Sequence, residues 1–79
     1  MLKALIIEDS PDAEEQLRFL LAKYCSECIQ LEASASSGKA GIAAIAEHRP
    51  DHVFLDIELG DMTAFEMLER IEPVDFQVI

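Results

Sequence analysis

Residues 2–9, LKALIIED, decide the fold. The apolar run from Leu2 to Ile7 contains a single lysine and is too short for a stable helix, so it predicts a strand that is buried on both faces of a parallel sheet. Two acids end the run. Ser10 and Pro11 then predict the start of a helix, because serine is a favoured N-cap and proline is favoured at the first helical position.

Three further stretches have strand patterns. Apolar and polar side chains alternate from Ile29 to Ala35, which predicts a half-exposed strand at a sheet edge. Residues 53–55 predict a short buried strand that ends in Asp56. Residues 76–79 predict the start of a fourth strand.

Helical patterns lie between the strands. The second helix is alanine-rich, is capped by Ser36 or Ser37, and ends before Pro50. The third helix begins with the capping-box spacing of Thr63 and Glu66 and ends at the next proline. The apolar faces of the three helices are formed by Ala13, Leu17, Leu20, Leu21 and Tyr24, by Ile42, Ile45 and Ala46, and by Ala64, Met67, Leu68 and Ile71.

This β-α-β-α-β-α-β order predicts an α/β fold with a parallel sheet and right-handed crossovers. The half-exposed second strand lies at an edge, so the predicted strand order is 2-1-3-4. The result is a partial doubly wound sheet, with the first and third strands side by side in its centre.

The composition limits the possible functions. The chain has 79 residues with a formal net charge of −10, and such a surface repels nucleic-acid backbones, so we expect no direct nucleic-acid contact by this segment. No run reaches the roughly 20 apolar residues of a membrane span, and the N-terminus lacks a signal-peptide pattern. We therefore expect a cytoplasmic protein without membrane contact.

Two cysteines, Cys25 and Cys28, have C-x-x-C spacing. The two histidines do not show metal-ligand spacing relative to them, and the pair closes a helix rather than opening one. We interpret them as two reduced thiols, and the sequence leaves a redox role open.

Acids end both central strands of the predicted sheet. Glu8 and Asp9 follow the first strand and Asp56 follows the third, so all three meet at the carboxyl edge, where ligands bind in open parallel sheets. A single acid at a strand end needs only hydration, but three together repel one another unless a cation or a raised pKa relieves the repulsion. Oxygen ligands favour Mg²⁺. Asp51 lies at the opposite end of the third strand, and we expect Asp61 to be a solvated loop acid.

The chain resembles the first part of the receiver domain of two-component response regulators. The resemblance lies in the acidic pair Glu8-Asp9, in residues 50–56, PDHVFLD, and in the loop and helix of residues 57–68. It implies a flavodoxin-like fold in which Asp56 accepts a phosphoryl group. Glu8, Asp9 and Asp56 would hold Mg²⁺, with the backbone carbonyl of Glu58 as a further ligand.

The sequence departs from this family pattern in two ways. Gly60 stands where proline is usual, and Thr63-Ala64 stands where Asp-Gly is common. The family's later hydroxyl residue and lysine would lie beyond Ile79, so we expect residues 1–79 to be the N-terminal portion of a single receiver domain, truncated after the start of the fourth strand and not competent to signal alone. Residues 76–79 also resemble LytTR-type regulators.

The resemblance implies a sensor histidine kinase as partner, a role in transcription regulation through an output domain, and no enzymatic activity of the chain itself. The exposed edge of the fourth strand predicts self-association. Two alternatives remain at this point. One is a Mg²⁺-dependent phosphatase with Asp56 as nucleophile and Glu58 as acid and base. The other is an unphosphorylated interaction module of receiver shape.

Overall fold

A computed structural model of the chain describes residues 1–71 and 73–79. The strands are Leu2–Ile7 (β1), Ile29–Ala35 (β2), His52–Leu55 (β3) and Gln77–Val78 (β4), and the helices are Pro11–Tyr24 (α1), Gly38–His48 (α2) and Ala64–Glu69 (α3). Strands and helices alternate along the chain, which confirms the predicted element order. No helix in the described ranges is both long and apolar enough to cross a membrane.

The four strands form one sheet in the order β2-β1-β3-β4, and every neighbouring pair is parallel. This confirms the predicted topology, with β2 at an edge and β1 beside β3. Ile7 pairs with Ala35 on one side and with Leu55 on the other, so three strands end at the same level. The residues that follow these strands are therefore brought to a common edge, the carboxyl edge.

The core lies on the face of the sheet that α2 and α3 cover. Its buried side chains are Leu5, Ile7, Ile45, Val53, Leu59 and Met67. Gly41 lets α2 approach the sheet closely, because a Cβ atom there would lie 2.8 Å from Cδ1 of Ile7. The packing follows the two-residue period of a strand, because alternate residues of β1 and β3 point to this face.

The opposite face of the sheet is covered less completely. No residue of α1 is buried, although its apolar residues have helical spacing. Of the predicted apolar face, Ala13, Leu20 and Tyr24 are exposed, with 70% of the tyrosine accessible. Spacing identified the apolar side of α1, but the burial of its outer residues was not predictable without knowing what packs against them.

The helix ends agree with most of the sequence signals. Ser10 caps α1 and Ser37, rather than Ser36, caps α2. The predicted capping box of Thr63 and Glu66 is present at the start of α3. Cys25 is the C-cap of α1 and forms the start of the turn that leads into β2, and both cysteines are free thiols.

Two details of the helices were predicted wrongly. Ala46 is exposed, because the buried side of α2 is formed by Gly38, Gly41 and Ile45, and the next residue points about 100° away. The third helix ends at Glu69 rather than at the following proline, so Ile71 lies beyond it. Ile71 nevertheless packs against the core.

Candidate metal centre

The central strands bring Glu8 and Asp56 side by side. They directly follow the paired residues Ile7 and Leu55, and the Asp56 amide donates a hydrogen bond of 3.1 Å to the Ile7 carbonyl. The Glu8 amide donates to the Ala35 carbonyl at 3.0 Å, which anchors the start of the β1–α1 loop to the edge strand. Both carboxyl groups are therefore placed by backbone pairing.

Glu8, Asp9 and Asp56 form one acidic cluster, as the sequence predicted. Each offers a carboxylate oxygen, and these three oxygens all lie within 4.8 Å of one another. Opposite ligands of a bound Mg²⁺ are about 4.2 Å apart, because each bond is about 2.1 Å long. Movements of less than about 1 Å would bring the three oxygens into coordination distance.

Glu8 is the member of the cluster whose ionisation is disfavoured. Burial of the Glu8 carboxyl, together with the neighbouring charge of Asp56, raises the pKa of Glu8 above its ordinary value. A hydrogen bond of 3.2 Å from the Ser10 amide to Glu8 acts in the opposite direction. A divalent cation would remove the repulsion that the acids impose on one another, so this arrangement favours cation binding.

The loop after Asp56 folds back on itself. Glu58 and Thr63 form an antiparallel bridge, flanked by hydrogen bonds from the Leu59 amide to the Met62 carbonyl and from the Ala64 amide to the Ile57 carbonyl, at 3.1 and 2.8 Å. The backbone of Glu58, a predicted ligand, is thereby held at both sides. Its side chain lies outside the cluster of three carboxylates.

Gly60, at the tip of this loop, has a φ of +85°. Proline is restricted to a φ of about −65°, so the loop has a backbone that the family's usual proline cannot adopt. A Cβ atom at Gly60 would lie 3.6 Å from Oδ2 of Asp9. The tip of the loop is therefore close to the acidic cluster.

Asp61 has a role that the sequence did not indicate. Its two carboxylate oxygens accept hydrogen bonds from the Gly38 and Lys39 amides, at 2.8 and 3.0 Å, and these bonds lower the pKa of Asp61. The expected solvated acid is thus a cap for a helix more than 20 residues away in sequence. No local pattern signals such a pairing, although unpaired amides are expected at every helix start.

Two clefts open on the acidic cluster. One, of about 290 Å³, lies beside the start of α1 and is lined by Glu8, Asp9 and residues of the β2 end. The other, of about 210 Å³, lies between α1 and the central strands and includes Leu17, Phe54 and Asp56 in its lining. The carboxylates are therefore accessible from solvent on both sides.

The chain is similar to proteins of one family. The profile described as the response regulator receiver domain matches residues 4–79. The transcriptional regulatory protein BtsR of Shigella flexneri is 36% identical over 73 residues, which cover 92% of this chain and 30% of that protein. A response regulatory protein of Vibrio vulnificus is 38% identical over 73 residues, covering 92% and 29%. The chain thus spans about 30% of the length of the curated relatives it matches.

Solved structures with the same fold include the N-terminal domain of a protein from Wolinella succinogenes, with a TM-score of 0.83 and 31% identity over 99% of this chain and 61% of that one. A DNA-binding response regulator of the LuxR family from Staphylococcus aureus has a TM-score of 0.87 and 25% identity, covering 99% and 65%. The response regulator domain of Thermotoga maritima CheB, at 20% identity and a TM-score of 0.87 over 99% and 57%, shows the fold alone. The names of these relatives and solved structures give no support to the resemblance of residues 76–79 to LytTR-type regulators.

Proposed function

We propose a phosphoryl-acceptor function for this chain, which belongs to the response regulator receiver domain family. Asp56 takes the phosphoryl group from a sensor histidine kinase. Glu8, Asp9 and Asp56 hold Mg²⁺, with the backbone carbonyl of Glu58 as a further ligand. The observation that carries the proposal is the convergence of three carboxylates at the ends of two adjacent central strands.

The proposed reaction is an in-line displacement. A carboxylate oxygen of Asp56 attacks the phosphorus of a phosphohistidine, the P–N bond breaks, and an acyl phosphate forms. The Mg²⁺ that Glu8, Asp9 and Asp56 would hold would supply positive charge to offset the negative charge that gathers on the phosphoryl oxygens. Asp56 reaches its donor because it is only half-buried and lies at the mouth of a cleft.

The proposed role in the cell is that of a receiver in a transcription regulator. This role is supported by the name of the BtsR relatives, which are transcriptional regulatory proteins. The role is a proposal for this chain, because the chain covers under a third of their length. We also propose that residues 1–79 form the N-terminal portion of a single receiver domain and do not signal alone. DNA contact would then belong to other residues of such a regulator, and the cytoplasmic location stays a prediction.

The family match does not favour the phosphatase alternative or the interaction module. Receiver domains of transcription regulators generally take part in phosphotransfer without being enzymes, and retention of the acidic cluster fits that role. Glu58, the acid and base of the phosphatase hypothesis, lies outside the cluster.

Self-association stays a prediction of the proposal. Phe19, Tyr24 and Phe65 are 62%, 70% and 68% exposed, and β4 pairs on one side only within the described residues. Exposed apolar side chains and an unpaired strand favour contacts between copies. Sedimentation velocity over a range of concentrations checks this, and a strict monomer at all concentrations would contradict it.

Phosphorylation of the chain tests the proposed function. The chain is incubated with acetyl phosphate or with a phosphorylated histidine kinase, with and without Mg²⁺, and the adduct is detected by mass spectrometry. We expect an acid-stable, alkali-labile adduct that requires Mg²⁺, as an acyl phosphate beside two other carboxylates should.

The matched controls are two asparagine variants. Asp56→Asn should remove the adduct, whereas Asp51→Asn, at the opposite end of β3, should keep it. An adduct that persists in Asp56→Asn, or a phosphopeptide that maps to Ser10 or Ser36, would refute the assignment.

A further inference from the structure

Asp61 connects the loop that follows Asp56 to the start of α2. Its oxygens accept the hydrogen bonds of the first two helical amides, those of Gly38 and Lys39. Next to it, the side chain of Met62 packs on Gly38 and fills the space that a Cβ atom would occupy there. The loop is therefore attached to α2 by both a polar and an apolar contact.

We infer that Asp61 is a positioning residue for the cation site, an inference that rests on the proposed function. The loop from Asp56 to Thr63 carries the Glu58 carbonyl and places Gly60 beside Asp9. Asp61 fixes the position of this loop by binding it to a helix that packs on the sheet.

The loop can transmit such a restraint because backbone hydrogen bonds within it hold it together. Hydrogen bonds from Leu59 to Met62 and from Ala64 to Ile57 close it, and the Leu59 side chain is buried in the core. A shift at Asp61 would therefore move the Glu58 backbone with it, rather than being absorbed by a slack segment. Because metal ligation depends on displacements of a few tenths of an ångström, the attachment should affect cation affinity.

The simpler role for Asp61 is that of a helix cap with no influence on the site. This simpler role can be tested separately, because the start of α2 is also capped by its N-cap residue, Ser37. The Ser37 hydroxyl accepts a hydrogen bond of 3.1 Å from the Ala40 amide and makes no bond to the loop among those described. Ser37→Ala thus removes a cap from the same helix while leaving the loop attachment intact.

The experiment measures Mn²⁺ affinity through paramagnetic line broadening of the Glu8 and Asp9 resonances in four proteins: wild type, Asp61→Ala, Asp61→Asn and Ser37→Ala. Asp61→Asn and Asp61→Ala lose the same charge, but asparagine keeps an acceptor oxygen. We expect Asp61→Ala to bind Mn²⁺ about 10-fold more weakly, at the lower end of what loss of a group that supports a metal ligand costs. Asp61→Asn should bind more tightly than Asp61→Ala, and Ser37→Ala should bind like the wild type.

Amide hydrogen exchange supplies a second measurement. The Leu59 and Ala64 amides should exchange faster in the Asp61 variants than in Ser37→Ala, because only the former release the loop. Should Asp61→Ala fail to fold, this comparison is made with Asp61→Asn, and unchanged exchange of the two amides overturns the inference.

The outcomes separate this inference from the proposed function. Wild-type affinity in Asp61→Ala overturns the inference and leaves the proposed function standing. Equal affinities of Asp61→Ala and Asp61→Asn indicate an effect of charge alone and overturn it, as does an equal loss in Ser37→Ala. Absence of broadening at Glu8 and Asp9 in the wild type overturns the proposed cation site and the inference with it.

Discussion

The two ends of the central strands both carry acids, but their surroundings differ. At the amino edge, Asp51 accepts a hydrogen bond of 2.8 Å from the Lys3 amide, and the Lys3 ammonium donates to the His48 carbonyl at 3.0 Å. At the carboxyl edge, the oxygens of Glu8, Asp9 and Asp56 face one another within 4.8 Å. The acid of the amino edge has a hydrogen-bond donor from a neighbouring strand, whereas the acids of the carboxyl edge compete for the same space.

This difference shows that partners, rather than residue type, decide what an aspartate does. Asp51 and Asp56 lie at the two ends of β3. The position of each is set by backbone hydrogen bonds between β3 and β1. The structure uses Asp51 to join the two strands. It leaves Asp56 with its charge uncompensated by a basic side chain in the described hydrogen bonds, which suits a nucleophile that works with a cation.

The largest effect that separates the two edges should be on cation binding. The double variant Asp9→Ala, Asp56→Ala should lose detectable Mn²⁺ binding, because only one of the three clustered carboxylates remains. Isothermal titration calorimetry with Mn²⁺ and with Mg²⁺ measures the loss. Wild-type binding in the double variant would show that the ion binds elsewhere.

A matched double variant at the other edge, Glu47→Ala and Asp51→Ala, removes the same amount of charge. It should bind Mn²⁺ about as tightly as the wild type, because exposed charges farther away than about 10 Å are screened in ordinary buffers. A similar loss in both double variants would mean that the cation responds to the net charge of −10 rather than to a site.

A smaller effect should appear in stability without metal. Glu8→Gln relieves repulsion at the carboxyl edge and should raise the free energy of unfolding by about 0.5 kcal/mol at neutral pH, the usual size of one surface charge interaction. Asp51→Asn has no such repulsion to relieve and should not stabilise the protein. Urea denaturation of the three proteins, with EDTA present, measures the difference.

The pH dependence of this effect follows from the raised pKa of Glu8. Between its ordinary pKa and the raised one, native Glu8 binds more protons than unfolded Glu8, so stability falls as pH rises through this window. The gain from Glu8→Gln should therefore be absent at pH values below the ordinary pKa and complete above the raised one. A gain in stability that is the same at low pH and at high pH would argue against repulsion as its cause.

Much of the fold could be predicted because its signals are local. The cap Ser10, the capping box of Thr63 and Glu66, and the alternation in β2 each lie within a few residues of the feature they specify. The strand order then followed from one further observation, the half-exposed pattern of the edge strand. The carboxylate cluster could be predicted for the same reason, since strand ends and topology suffice to bring its members together.

The features that were missed depend on distant partners. Asp61 caps a helix that begins at Gly38, and only the folded structure brings them together. The exposure of Ala46 depends on which side of α2 approaches the sheet, and Gly41 lies on that side against Ile7. The Glu58 carbonyl stays a predicted ligand, because every residue offers a carbonyl and sequence alone cannot distinguish one from another.

The smallest effect should come from the amino edge itself. The Lys3 ammonium donates to the His48 carbonyl in the last turn of α2, where carbonyl groups lack helical partners and the helix dipole favours a cation. Lys3→Met keeps much of the apolar stem and should lower the free energy of unfolding by about 0.3 kcal/mol, the lower end of a helix-dipole interaction, without changing Mn²⁺ affinity. Lys39→Met is the control, because a cation in the first turn of α2 is not favoured by the dipole and its loss should not destabilise the helix. Urea denaturation measures the free energy of unfolding of both variants, and Mn²⁺ titration measures their cation affinity. Weaker Mn²⁺ binding in Lys3→Met would mean that the two edges are coupled through β1, and that the amino edge contributes to the site as well as to the fold.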